Sequence, residues 1–123
     1  IVSVAAMGLE NGTQRPDENM SVTLRFEDGS IGTVHYLANG HKGYPKERLE
    51  VFAGGRILHL DNFRKLTGYG WKAFSSLNLR QQDKGHAGEL KAFVDAVKAG
   101  GPSPIPFEET CEVTRVTFAV TSA

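Results

Sequence analysis

The order of two hydrophobic patterns constrains this fold more than any other feature of the chain. Through residue 80, apolar and polar residues alternate in short runs, which is the period of half-buried β-strands. Within residues 84–101 the period changes, because Leu90, Phe93, Val94 and Val97 recur at the spacing of an amphipathic helix. Strands followed by helices predict an α+β domain with a mostly antiparallel, open-faced sheet and two C-terminal helices packed on one face.

The first strands are expected in residues 1–8 and 20–37, joined by a polar loop over residues 10–19. Within residues 20–37, Asp28-Gly29 predicts a hairpin with a two-residue type I′ turn, which places Val22 opposite His35. One face of this hairpin is then mostly apolar. The other face is small, β-branched and partly polar, with Ser21, Thr23, Arg25, Glu27, Ser30, Gly32, Val34 and Tyr36.

Residues 48–60 predict a second hairpin around Gly54-Gly55. Its apolar face would carry Leu49, Val51, Leu58 and Leu60. Its mixed face would carry Arg48, Glu50, Phe52, Ile57 and His59. Residues 62–80 fit a third strand pair that turns near residues 68–70, although the alternation there is imperfect.

Two helices are predicted at the end of the chain. The first lies within residues 84–101, with Asp83 as its N-cap, Gly100 at its C′ position and the Leu90–Val97 stripe against the sheet. Residues 107–123 are ambiguous, because their β-branched content suggests a strand whereas their early acidic residues and apolar spacing suit a helix. We favour the helix.

Composition narrows the classes of function. A length of 123 residues suits a single domain, and the zero net charge gives no basic excess for nucleic acid. One cysteine, Cys111, excludes an internal disulfide and fits the cytoplasm, and no apolar run reaches the ~20 residues of a membrane span. His86 and Glu89 could share a helix face, but two ligands do not make a zinc site, so we expect no metal.

Three stretches carry a family resemblance: VTLRFEDGSIGTVHYLA, ERLEVFAGGRILHLDNFRKL and DKGHAGELKAFVDAVKAGGPSPIPFEET. In this order, and over nearly the whole chain, they resemble the C-terminal domain of the Gfo/Idh/MocA oxidoreductases. These enzymes use NAD or NADP and act mostly on sugars, inositols and related polyols. The DNFRKL and DKGH elements are most similar to forms fused to an alcohol-dehydrogenase-like part.

The resemblance implies that residues 1–123 are one domain of a longer, cytoplasmic oxidoreductase, partnered by an upstream Rossmann domain. That domain would bind NAD or NADP and supply the catalytic residues. The family's G-x-G-x-x-G, Glu-Lys-Pro and Asp-x-x-x-His elements do not occur in this sequence. We therefore expect neither a cofactor site nor catalytic residues in this chain. The alternative is a non-catalytic binding or scaffolding module retained for assembly.

Two sets of site residues follow. In the family, the connection after the first hairpin approaches the substrate cleft, which implies contacts to a sugar or polyol from Asn39, His41, Lys42 and Tyr44. The second set rests on the open sheet face, which is too apolar to be left bare and through which the family commonly associates. A twofold homo-oligomer is therefore expected through Thr23, Val34, Tyr36, Phe52 and Ile57.

Overall fold

Seven strands precede two helices in a computed structural model, which describes residues 1–9 and 18–122. The strands are β1 Ser3–Gly8, β2 Asn19–Arg25, β3 Ile31–Leu37, β4 Arg48–Ala53, β5 Arg56–Asp61, β6 Lys65–Tyr69 and β7 Ser76–Asn78. The helices are α1 His86–Ala99 and α2 Phe107–Thr121. The predicted α+β class with C-terminal helices is confirmed. Most of the loop predicted for residues 10–19 lies outside the described residues.

The strands form two antiparallel sheets, where the sequence predicted one. Their orders are β1-β2-β3 and β4-β5-β6-β7. The chain divides into two compact units, Ile1–Gly40 with Ala96–Ala123, and His41–Asp95. Each unit therefore contains one sheet.

The core of the first unit lies around β2 and α2. Among the described residues, Val22 and Val116 are the buried apolar side chains, and Asn19 is the buried polar one. Helix α2 packs against β1. The amino group of Ile1 bonds the Glu112 carboxylate, and this hydrogen bond and charge lower the pKa of Glu112.

The predicted register of the first hairpin is wrong by one residue. The Phe26 N–H donates to Ser30 O at 2.9 Å, and the Gly29 N–H donates to Phe26 O at 3.1 Å. The loop therefore has three residues, with Gly29 at a φ of 86° in the left-handed position that follows a type I turn. Since a slip of one residue moves side chains to the other face, Val22 lies opposite Val34 and no longer opposite His35.

The predicted second and third strand pairs are confirmed. In the second hairpin Val51 pairs with Leu58 and Phe52 with Ile57, as the two-residue Gly54-Gly55 turn requires. In the third pair, β6 extends to Tyr69, so its turn lies later than the predicted residues 68–70.

Helix α1 ends as predicted. The Gly100 N–H donates to Val97 O and the Gly101 N–H donates to Ala96 O, at 3.1 and 3.0 Å, which is a Schellman motif with Gly100 at C′. At the other end Asp83 is not the N-cap, because its carboxylate accepts from Gly85 one residue before the helix. The predicted burial of the α1 stripe is also wrong, since no α1 residue is buried and Phe93 is 55% exposed.

The terminal segment is a helix, as favoured. Its β-branched threonines are accommodated because their hydroxyls bond to the preceding turn of the helix. Thr114 Oγ1 donates to Thr110 O, and Thr117 Oγ1 donates to Val113 O, both at 2.9 Å. Glu108 and Glu109 lie in the first turn, where acidic side chains favour a helix.

Candidate functional site

The predicted substrate loop is an exposed turn region, and its residues belong to two different units. Asn39 belongs to the first unit, where its N–H donates to Asn19 Oδ1 at 3.1 Å. His41, Lys42 and Tyr44 belong to the second unit. There the Tyr44 N–H donates to His41 O at 2.9 Å, and the Gly43 N–H donates to His41 Nδ1 at 3.1 Å. The structure therefore places these three residues in one local turn.

The predicted oligomer face is not a single surface. Thr23 pairs with Thr33, whereas Val34 pairs with Val22 and Tyr36 with Met20 on the opposite side of the sheet. The cause is the register of the first hairpin. Its loop has one residue more than predicted, so each β2 residue lies opposite a β3 residue that was predicted to point to the other face. Phe52 and Ile57 do share a face, but they belong to the other sheet.

Cross-strand pairing defines a polar face on the four-stranded sheet, since directly paired residues point to the same side. The central row of this face is Glu50, His59, Thr67 and Ser76. The flanking rows are Arg48, Asp61, Lys65 and Asn78 on one side, and Phe52, Ile57 and Tyr69 on the other. We call these residues the polar face. The opposite side of this sheet is largely apolar, as predicted from the sequence for the second hairpin.

Two buried atoms on the polar face have no hydrogen-bond partner within the described part of the chain. They are His59 Nε2 and Asp61 Oδ1. Both side chains come from β5, two residues apart, and so lie on the same side of the sheet. A buried polar atom without a partner costs roughly 1–3 kcal/mol. The pair therefore marks a place where a ligand or an ordered water would restore hydrogen bonds.

A strained turn adjoins these two atoms. Asn62 and Phe63, between β5 and β6, both have a φ of 51°. For a bulky residue such as phenylalanine this left-handed conformation is an outlier. The turn closes with the Arg64 N–H donating to Asp61 O at 3.0 Å. Strain of this kind persists only where neighbouring contacts hold it, and it is concentrated at functional sites.

Contacts from the two flanking segments hold the strained turn in place. The Asn62 N–H donates to Glu47 O at 2.7 Å, and Gln82 Nε2 donates to Asn62 Oδ1 at 2.9 Å. The Asp83 N–H donates to Phe63 O at 3.0 Å. Lys84 pairs with the Glu47 carboxylate and lies 6.0 Å from the centre of the Phe63 ring. These contacts join the DNFRKL and DKGH elements that carried part of the resemblance.

The sequence reasoning missed most of this site. His59 was assigned to the correct face, but nothing singled it out, and Asp61 was not considered. The available signal was the polar triplet formed by Glu50, His59 and Asp61 on a face that was otherwise partly apolar. Sequence could not show that two of its atoms are buried without partners.

At the other end of the polar face, the tip of the second hairpin is braced by Trp71. Its Nε1 donates to Ile57 O at 3.2 Å, and the Arg56 guanidinium lies 5.1 Å from the centre of its ring. An open cavity of about 370 Å³ lies beside this tip, lined by Phe52, Ala53, Gly54, Gly55, Arg56 and Ile57. The indole therefore packs within the second unit.

Residues 1–9 and 18–122 contain no group of three or more His, Cys, Asp or Glu side chains that could hold a metal ion. Neither helix among these residues is long and apolar enough to cross a membrane. Comparison of the chain with family models, with curated proteins and with solved structures finds no match.

Proposed function

We propose that this chain is the substrate-cleft and assembly domain of an NAD(P)-dependent sugar or polyol oxidoreductase. The three stretches that resemble the Gfo/Idh/MocA C-terminal domain form the hairpin β2–β3, then β4 and β5, then α1, in the order in which they occur along the chain. In such an enzyme a Rossmann domain would bind NAD or NADP and supply the lysine that moves the hydroxyl proton. This chain would contribute a wall of the substrate site.

The unpaired atoms on the polar face carry this proposal. A carboxylate oxygen accepts hydrogen bonds, and an imidazole nitrogen donates or accepts according to its tautomer. One hydroxyl of a polyol can donate a hydrogen bond to Asp61 Oδ1. A neighbouring hydroxyl can donate to His59 Nε2 or accept from it, according to the tautomer of the imidazole. Glu50, Lys65 and Thr67 surround them with further donors and acceptors. A polyhydroxyl ligand therefore matches the local chemistry better than an apolar one.

The test is a titration of the chain with myo-inositol, a hexose and cyclohexanol, followed by amide chemical shifts. We expect millimolar binding of the two polyols, with shifts centred on β5 and β6, and much weaker binding of cyclohexanol. His59→Phe and Asp61→Ala should each weaken binding at least about fivefold, or ~1 kcal/mol, the worth of one hydrogen bond. Arg56→Ala, on the opposite face, is the matched control and should bind normally.

Shifts confined to other surfaces, or equal binding of all three compounds, would contradict the proposed ligand class. A titration with NADH and NADPH covers the cofactor. We expect no binding to this chain, so micromolar affinity for either dinucleotide would overturn the proposed division of labour between the two domains.

Exposed apolar side chains favour the alternative, a non-catalytic module retained for assembly. Val34 and Tyr36 on β3 are at least half exposed, as is Phe52 on β4. Surfaces of this kind mark contacts with other chains or domains. A homo-oligomer through a face of the three-stranded sheet would cover Val34 and Tyr36, and one through a face of the four-stranded sheet would cover Phe52. Assembly without any polyol binding would favour this alternative over the oxidoreductase domain.

A further inference from the structure

Strand β4 is an open edge of the four-stranded sheet. It stands first in the strand order, and within the described chain it pairs with β5 alone. All six of its residues are exposed. A strand in this position offers unpaired backbone N–H and C=O groups to any other extended chain.

The register identifies which backbone groups of β4 point outward. A two-residue loop makes Ala53 and Arg56 a hydrogen-bonded pair, and such pairs recur at every second residue. The Asn62 N–H bond to Glu47 O, at 2.7 Å, continues this series at the other end of the strand. Residues 47, 49, 51 and 53 therefore bond inward, and Arg48, Glu50 and Phe52 direct their N–H and C=O groups to the open edge.

This edge lacks most of the usual protection. Natural edge strands are shortened, bulged, covered, or interrupted by proline or by charged side chains, lysine above all. Strand β4 has charges of both signs, Arg48 and Glu50, which can pair with each other across two copies. The opposite edge of the sheet, β7, has only three residues. Strand β4 has six, contains neither proline nor lysine, and keeps an unbroken register with β5. An edge of this kind is suited to pairing.

The charged residues of β4 favour pairing with a second copy of the same strand, because Arg48 and Glu50 have opposite signs. In a twofold antiparallel pairing, outward residues must face outward residues, so an axis that pairs at least two outward residues of each copy passes through Leu49, Glu50 or Val51. An axis at Glu50 places two glutamates opposite each other, which is unfavourable, and an axis at Val51 places Glu50 opposite Phe52. An axis at Leu49 instead pairs Arg48 of each copy with Glu50 of the other.

We propose that β4 pairs antiparallel with β4 of a second copy of this chain, about a twofold axis at Leu49. The two four-stranded sheets then form one continuous sheet. Two ion pairs flank the axis, and the two Leu49 side chains meet on the apolar face with Val51 beside them. The pairing depends on the edge alone, so it goes beyond the proposed oxidoreductase role and does not require it.

Cysteine cross-linking tests the register directly, in a chain whose native Cys111 is replaced by serine. An axis at Leu49 makes the two copies of this residue a non-hydrogen-bonded pair with Cα atoms ~4.5 Å apart, within the range that a disulfide spans. Leu49→Cys should therefore give a covalent dimer under mild oxidation. Val51→Cys is the control on the same face, because its two copies lie roughly 14 Å apart and should remain unlinked.

A charge exchange tests the partner. Glu50→Arg and Arg48→Glu should each raise the dimer dissociation constant by roughly tenfold in sedimentation, because each sets like charges opposite each other twice. The double variant, with both changes, restores opposite charges and should recover the dimer. A monomeric parent chain, equal cross-linking at both cysteines, or no recovery in the double variant would overturn the pairing. Polyol titration of the reduced Leu49→Cys and Val51→Cys chains, whose substitutions lie on the face opposite His59 and Asp61, reports separately on the proposed ligand site.

Discussion

The two hairpins β2–β3 and β4–β5 differ by one residue in their turns, and this difference decides which side chains share a face. The first turn has three loop residues, of which Gly29 has positive φ, and the Asp28 carboxylate accepts from Ser30. The second has two, Gly54 and Gly55, both with positive φ. Turn geometry therefore controls the composition of a sheet surface several residues away.

The hairpins also differ in what their strands contact. Strand β2 is central in its sheet, and Val22 is 6% exposed. Strand β4 is an edge, and Val51 is 45% exposed. The same residue type thus serves as core in one hairpin and as surface in the other, which allows one substitution to compare them.

The largest expected effect comes from Val22→Ala. Removing two buried methyl groups should lower the free energy of unfolding of the first unit by about 2 kcal/mol, whereas Val51→Ala should cost less than ~1 kcal/mol. Amide hydrogen exchange resolves the two hairpins and is the measurement. Equal losses of unfolding free energy in the two variants would show that Val51 is buried in solution. Edge pairing of β4 would also bury Val51 at high protein concentration. The two variants are therefore compared in dilute samples.

A smaller effect is expected from the turn glycines. Gly55 has a φ of 74°, and a Cβ added there meets no atom within 4 Å, so the cost of Gly55→Ala is conformational, about 1–2 kcal/mol. Trp71, the only tryptophan, reports unfolding of this hairpin by fluorescence in urea. Gly29→Ala, at a φ of 86°, is the matched change in the first hairpin. Gly29→Ala should leave the urea midpoint of the Trp71 transition unchanged. A shift of that midpoint would contradict the expectation that the two turns contribute to stability independently.

Sequence predicted the second hairpin fully and the first only in outline, for a physical reason. Two adjacent glycines suit a two-residue turn in which both residues need positive φ. Asp-Gly fits that turn as well, but it equally fits a three-residue loop with one glycine in the left-handed position. Local composition cannot separate the two, and a wrong choice exchanges faces, which is why Thr23 was grouped with Val34.

The candidate site was less predictable than the fold. Alternation places His59 on the correct face, but its unpaired Nε2 depends on how surrounding residues bury it. The turn at Phe63 was hidden because a bulky residue at positive φ contradicts local preference and is held by residues 82–84, distant in sequence. The α1 stripe shows the converse: its period predicted a helix correctly, but periodicity alone does not specify what the stripe contacts.

The smallest expected effect is a dependence on pH in the first turn only. Asp28 Oδ1 accepts from the Ser30 hydroxyl at 2.7 Å and from the Ser30 N–H at 2.9 Å. These bonds, the hydroxyl first, hold the pKa of Asp28 below its ordinary value of 3.8. Because the folded pKa is depressed, the turn keeps this stabilisation above the unfolded pKa and loses it as pH falls through the folded one. The Gly54-Gly55 turn has no side chain to titrate.

The Ser30 amide resonance measures this titration, and its midpoint should lie below 3.8. Ser30→Ala removes the hydroxyl donor, so the pKa of Asp28 should rise toward its ordinary value. In this variant the titration is measured on the carboxyl carbon resonance of Asp28. Asp28→Ala should abolish the titration at residue 30 without moving the Gly55 amide. A midpoint at or above the ordinary value would mean that the carboxylate does not hold the turn in solution. Gly29 and the chain reversal would then determine the three-residue loop by themselves.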